Sequence, residues 1–202
     1  MPLLNQLLRR MRLEEFFRDA LPKEDGRTKV SPTKALLVLL RNLLISREPI
    51  YGLGEWAARY APDLLGLNES EVGLLNDDRM GRALDKLFAA DVPSLVLAVA
   101  TRVVKEFGLK LDELHNDSTT VSCFGAYLNA AMEPQVLGRP TLAITFGHSK
   151  DHRPDLKQMV LAAVLDSEGR PVCCELWPGN TTDVTTLVPI VDRLRNRFSI
   201  GQ

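Results

Sequence analysis

Asp117 sits in the run His115-Asn116-Asp117-Ser118-Thr119-Thr120, followed by Val121. The β-branched residues after it favour an extended strand, and an aspartate inside such a run is out of place on propensity grounds. A buried carboxylate is costly unless it is paired, hydrogen-bonded or bound to a metal. Carboxylates fixed on rigid strands are what metal-assisted phosphoryl transfer needs, because divalent ions activate the attacking oxygen and stabilise the leaving one. The plainer reading is an edge-strand or strand-end aspartate facing water. Taken alone, Asp117 fits the plainer reading better.

A second reactive string is Gly147-His148-Ser149-Lys150-Asp151-His152-Arg153-Pro154-Asp155-Leu156-Lys157-Gln158. His148, Asp151 and His152 are of metal-ligating type, but their spacing is loose and no fourth ligand is evident. Lys150, Arg153 and Lys157 are candidates for phosphate contacts, with a solvated turn as the alternative. Asp183 stands at a helix start, where an N-cap role explains it better than metal binding. Arg9, Arg10, Arg12 and Arg18 outline a basic helix face. Glu14, Glu15 and Asp19 interrupt it, so a solvated face is the better reading. Cys123, Cys173 and Cys174 lack CxxC spacing and read as small apolar residues in strands of a reduced protein.

The elements that must position these residues change character near residue 110. Before it the patterns are helical. Leu3, Leu4, Leu7, Leu8, Met11 and Leu13 recur at three- and four-residue spacing. Ser31-Pro32 starts a helix that runs through Leu37, Leu40, Leu43 and Leu44 and ends before Pro49. An amphipathic stretch covers Leu53 to Tyr60. Asn76-Asp77-Asp78 caps a helix bearing Met80, Leu84 and Leu87, and Pro93 begins another that Gly108 closes. After residue 110 the pattern predicts a strand over Leu111 to Cys123 and a loop over Phe124 to Arg139. A short strand over Leu142 to Phe146 and a hairpin of Gln158 to Leu165 with Pro171 to Trp177 follow. Pro178-Gly179-Asn180 breaks the hairpin, and a crossover helix runs through Leu187, Ile190, Val191 and Leu194.

Composition sets the class. With 45% hydrophobic and 25% charged residues in 202, the chain can build a core and is not a disordered tail. Its 25 lysines and arginines nearly balance 26 aspartates and glutamates, so any nucleic-acid contact must come from a local basic face. The most apolar run, Ala35 to Ile45, is short and broken by Arg41. No membrane span and a cytoplasmic location are expected.

The order of these strings is specific. Asp117-Ser118-Thr119-Thr120, then GHSKDHRPDLKQ, an apolar hairpin, Trp177-Pro178-Gly179-Asn180-Thr181-Thr182-Asp183 and an amphipathic helix together resemble bacterial insertion-sequence transposases of the DDE type. These are the cut-and-paste group of mobile elements, with an RNase H-like catalytic domain. The likeness covers residues 110 to 202 well and the helical front only loosely. It implies an α+β or α/β chain: a helical, DNA-binding domain over residues 1–110, then the first part of an RNase H-like mixed sheet with a crossover helix over 111–202. It implies Asp117 as the first catalytic aspartate and a Mg²⁺ ligand. It also implies DNA transposition and recombination by phosphodiester cleavage and strand transfer, with the element's terminal inverted repeats as partner DNA and a homodimer as a candidate assembly. The sequence has Asp-Ser-Thr-Thr where the group often shows Asp-Thr-Thr, a change that keeps a small hydroxyl.

The crossover helix should return to a strand beside the first, beginning near Ile200. The second aspartate belongs on that strand and the glutamate further on. The expectation is therefore a truncated piece of a longer protein, inactive as this chain alone. The alternative is a non-catalytic DNA-binding or dimerisation remnant acting through the helical part.

Overall fold

A computed structural model of the chain describes residues 1–23, 28–127 and 135–198, by backbone alone at 183, 184, 187, 193 and 195–198. The class is α+β: helices first, then a small antiparallel sheet. The chain divides into two compact units, Met1–Phe107 and Gly108–Gln202.

The first unit holds α1 (Pro2–Arg10), α2 (Leu13–Ala20), α3 (Pro32–Ile45), α4 (Leu53–Ala57), α5 (Glu69–Val72), α6 (Asp77–Ala89) and α7 (Val92–Phe107). The apolar pattern from Leu3 to Leu13 is carried on two helices rather than one. Arg12 takes the left-handed conformation (φ 56°, ψ 33°) between them. That turn brings Leu8 and Leu13 together on Leu37. Ser31 caps α3 by accepting the Lys34 amide at 3.2 Å, with Pro32 in the first turn. The first half of α3 is enclosed: Ala35, Leu36 and Val38 share one core with Leu53, Trp56, Leu65, Met80 and Ala83. Its last turn is not covered, so Leu43 and Leu44, expected on the apolar stripe, are 51% and 60% exposed.

Short polar caps set the remaining helix starts. Asn68 and Glu71 form a reciprocal capping box on α5, a helix the sequence pattern does not announce. Glu71 also accepts from Lys34 Nζ at 2.8 Å through both oxygens, tying α5 to α3. Asn76 Oδ1 accepts the Arg79 amide at 2.9 Å, and Asp91 accepts the Ser94 amide at 3.1 Å. Gly108, at φ 61°, follows α7. Among the described residues no single helix is long and apolar enough to cross a membrane. Helices α6 and α7 reach that length only together, across an 86° bend.

The second unit holds β1 (Leu114–Cys123), β2 (Gln135–Val136), β3 (Arg139–Pro140), β4 (Lys157–Asp166), β5 (Pro171–Pro178) and α8 (Asp183–Phe198). The sheet order is β1-β4-β5, each pair antiparallel. Strand β1 starts three residues later than its alternation predicts: Leu114 already pairs with Asp166, the last residue of β4, and Leu111 packs on the sheet core from outside the ladder. Within the span expected as loop, β2 and β3 form a small hairpin over Leu137 (φ 52°) and Gly138 (φ 71°). Two consecutive positive φ values match the right-handed twist of the flanking strands. Leu142 to Phe146, expected as a strand, makes one bridge, Thr145 to Gln158. Strand β5 stops at Pro178 opposite Met159, and Thr145 takes the next ladder position on that side of β4.

The β4–β5 turn is held by Asp166. One carboxylate oxygen accepts the Glu168 and Arg170 amides at 3.0 and 2.9 Å, and the other accepts Arg170 Nε at 2.6 Å. Gly169 supplies the positive φ of 78°. One sheet face, with Ala162, Val164, Val172 and Cys173, packs on Ile190 and Leu194 of α8. The opposite face is open: Leu176 is 53% exposed. The strand expected near Ile200 lies outside the described residues.

Candidate functional site

Asp117 lies mid-strand on β1, exposed, on the open face of the sheet. Its Oδ1 accepts the Ser118 amide at 2.8 Å. The residues in register across the sheet are Ala163 on β4 and then Cys174 on β5. Neither is a carboxylate. Among the described residues no three His, Cys, Asp or Glu side chains gather as ligands of one metal ion. Asp117 therefore offers one ligand to a divalent ion, and the described residues do not complete a Mg²⁺ site. His148, Asp151 and His152 are not brought together as ligands either; Asp151 instead accepts from Ser122 Oγ at 3.2 Å.

Side chains alternate along a strand, so Ser118 and Thr120 point to the opposite face from Asp117. Both are buried. The 147–158 loop crosses them there. Lys150 Nζ donates to Ser118 Oγ at 3.0 Å and to the Ser118 carbonyl, and the Lys150 amide donates to Thr120 Oγ1 at 3.3 Å. The Pro178–Asn180 segment closes on the same loop. A Cβ added to Gly147 would stand 1.9 Å from the Gly179 carbonyl oxygen, so both chains come together only as glycines. Gln158, 1% exposed, binds the two segments: its Nε2 donates to Gly179 O at 2.8 Å and His148 O at 3.2 Å.

The three strings thus meet at one cleft of about 340 Å³, lined by Ser118, Thr120, His148, Lys150, Thr181 and Thr182 among others. An amine, an imidazole and several hydroxyls there are chemically suited to the oxygens of a phosphate. Helix α8 begins at Asp183, directly after Thr182. The cap function expected for Asp183 falls on a side chain outside the description.

The other two predicted phosphate contacts hold parts of the protein. Arg153 pairs with Asp155 through two hydrogen bonds of 2.8 and 2.6 Å and lies over the Phe124 ring. This pairing draws the Asp155 carboxyl below its ordinary value. Lys157 Nζ donates to the carbonyls of Ala126 and Tyr127 at 3.1 and 2.8 Å. Lys150 lies with Ser118's side chain, on the other side of the sheet from Asp117, so the structure does not converge these cations on the carboxylate. In the sequence, Ser118, Thr120 and Gln158 stand out only as parts of longer strings. The available signal was a polar residue in step with the inward positions of an otherwise apolar strand.

Three arginines of the first helices' basic face lie against carboxylates. Arg10 pairs with Glu106 at 3.1 Å, Arg12 with Glu15, and Arg18 approaches Asp19 at 4.0 Å. None of the three cysteines forms a disulfide; Cys123 and Cys173 are buried and Cys174 is exposed. Burial, then the charge of Glu175, pushes the Cys174 thiol up.

No curated protein and no solved structure matches the chain. A family model described as "Domain of unknown function (DUF4277)" matches residues 1–101, which is the helical unit up to the middle of α7. With half of its 202 residues matched, the chain belongs to the DUF4277 family.

Proposed function

We propose that residues 111–202 are the first part of a DDE-type transposase core, acting on DNA, with Asp117 as one ligand of a divalent metal ion. The observation that carries this reading is the meeting of the Ser118/Thr120, 147–158 and 178–182 strings at one cleft, on the face of β1 opposite Asp117. The order of β1, a hairpin and then a helix packed on one face agrees with the start of an RNase H-like domain. The cleft's Lys150 and hydroxyls are suited to DNA phosphate oxygens. Mg²⁺ is the cofactor this reading expects. Because the described residues supply one carboxylate, no cleavage or strand-transfer step is assigned to this chain alone.

Titration with Mn²⁺ tests the assignment. Its paramagnetism should broaden the amide signals of Asp117 to Thr119 first, and Asp117→Ala should abolish that broadening. Broadening centred elsewhere, or unchanged by the substitution, would refute Asp117 as a ligand. Incubation with terminal-repeat DNA and Mg²⁺ or Mn²⁺ should give no strand cleavage. Cleavage lost in Asp117→Ala would show that one chain suffices.

A second reading is favoured by where the family match falls. It covers the helical unit and leaves Asp117 outside. On that reading the chain is a non-catalytic DNA-binding or dimerisation protein. It expects DNA binding that survives Asp117→Ala, with no metal-dependent change in affinity.

A further inference from the structure

The helical unit carries a basic cleft that lies outside the sites considered above. It occupies about 360 Å³ between the start of α3 and one face of α6. Lys29, Arg79, Arg82 and Lys86 line it over a floor that includes Val30 and Ala83, both buried. No carboxylate is among the described residues lining it. Lys29, Arg82 and Lys86 are exposed. Arg79 is half-buried and anchored by its Nε to the Leu74 carbonyl at 2.8 Å. None of the four forms an ion pair with a described residue.

The placement follows from helix geometry. Residues three, four and seven apart share a helix face, so Arg79, Arg82 and Lys86 form one row. Asp78 and Asp85, at i−4 and i+3 from Arg82, flank the row and do not line the cleft. The Asn76 cap fixes where α6 starts, and Ser31 with Pro32 fixes the start of α3 beside Lys29. A neighbouring cleft of about 520 Å³ shows the contrast. Arg9, Arg12, Arg18 and Arg41 line it, but so do Glu14, Glu15 and Asp63. In a chain of net charge −1, the first cleft brings together four cations with no carboxylate among its described lining residues.

We infer that this cleft binds the phosphate backbone of a nucleic-acid duplex. Arg79 to Lys86 spans roughly 10 Å along the helix axis at about 1.5 Å per residue. A duplex presents one phosphate about every 3.4 Å along each strand, so a row of that length meets several phosphates at once. One isolated anion needs fewer cations and no such row. The apolar floor and the absence of aromatic side chains in the lining fit backbone contact rather than base stacking. The inference rests on the reading of the helical unit as DNA-binding, to which it assigns a contact surface, and stands whether or not Asp117 holds a metal.

The test uses the full chain and a short labelled duplex of arbitrary sequence, followed by fluorescence anisotropy from 50 to 200 mM salt. The parent chain should bind with affinity falling steeply as salt rises. Replacing Lys29, Arg82 and Lys86 together by Gln should remove three phosphate contacts. At about 0.9 slope units per contact, that cuts the salt-dependent loss across this range by about 40-fold. Lys86→Gln alone should remove about one slope unit, which keeps the test decisive if the triple variant folds poorly. Arg9→Gln/Arg18→Gln should bind as the parent does. Equal binding by parent and triple variant, or no binding by the parent at low salt, would overturn the inference. So would tighter binding to phosphatidylserine vesicles than to the duplex, lost in the same variant. If the triple variant alone loses DNA, the cleft is supported even where the Mn²⁺ experiment rejects Asp117.

Discussion

Gly147 and Gly179 are in backbone contact: the Gly179 carbonyl oxygen lies 1.9 Å from where a Gly147 Cβ would stand. A Cβ on Gly179 would in turn lie 2.2 Å from Gln158 O and 2.5 Å from Thr145 O. All of these atoms are backbone, and none can swing aside as a flexible side chain would. Gly147→Ala or Gly179→Ala should therefore destabilise the chain by about 1–3 kcal/mol through overpacking. Gly81→Ala is the control, since nothing lies within 4 Å of its added Cβ and it sits inside α6. That change should stabilise by about 1 kcal/mol through helix propensity. Urea unfolding reads both as shifts of midpoint at constant slope.

Asp166 should make the sheet unit sensitive to acid. Burial pushes its carboxyl up, but the Arg170 amide, the Arg170 guanidinium and the Glu168 amide outweigh this and hold it below its ordinary value. A carboxyl lower in the folded than in the unfolded chain contributes stability that is fully present above the unfolded value, near pH 4. That contribution is lost as the pH falls through the folded value. Asp166→Asn keeps an oxygen acceptor for the two amides and removes the charge. Stability measured by urea unfolding from pH 6 to pH 2 should fall less steeply with acid in the variant. Parallel curves would show that Asp166 does not set the acid response.

Asn42 is fully buried in α3, and neither its Oδ1 nor its Nδ2 has a hydrogen-bond partner among the described residues. An unsatisfied buried amide costs about 1–3 kcal/mol, whereas an apolar group of similar shape carries no such cost. Asn42→Leu should raise stability by about that amount, read from the thermal or urea midpoint. A loss of stability would mean that the amide is bridged by an ordered water or that the site cannot accept the leucine shape.

Much of the fold was legible because it rests on local chemistry. Ser31-Pro32, Asn76 and Gly108 mark helix ends through caps and backbone conformations that neighbouring residues alone determine. The β4–β5 hairpin is legible for the same reason, since the Asp166 to Gly169 turn is its own template. The exposure of Leu43 and Leu44 was not legible, because periodicity reports which residues could face a core and not how far that core extends. Thr145 escaped because one ladder position cannot impose a strand pattern.

The candidate site divides along the same line. Asp117 could be placed on a strand from its neighbours. That Ser118 and Lys150 meet on the other face, and that Gln158 bridges two loops, depends on contacts between segments far apart in sequence. The basic cleft is the clearest case. Lys29 is unremarkable in its own segment and joins Arg79, Arg82 and Lys86 only when α3 and α6 pack.

The Asp166 turn also bears on the order in which the protein is made. Strand β4 meets β5 across a turn of a few residues, whereas β1 meets β4 only after the long excursion from Cys123 to Lys157. Hairpins close in microseconds, and the entropic cost of closing a loop rises with its length. Strand β1 therefore leaves the ribosome first and is seated last. At synthesis rates of about 5–20 residues per second, it spends seconds as an unpaired strand awaiting its partner. During that interval the nascent chain presents an unpaired strand edge, and the same strand carries Asp117.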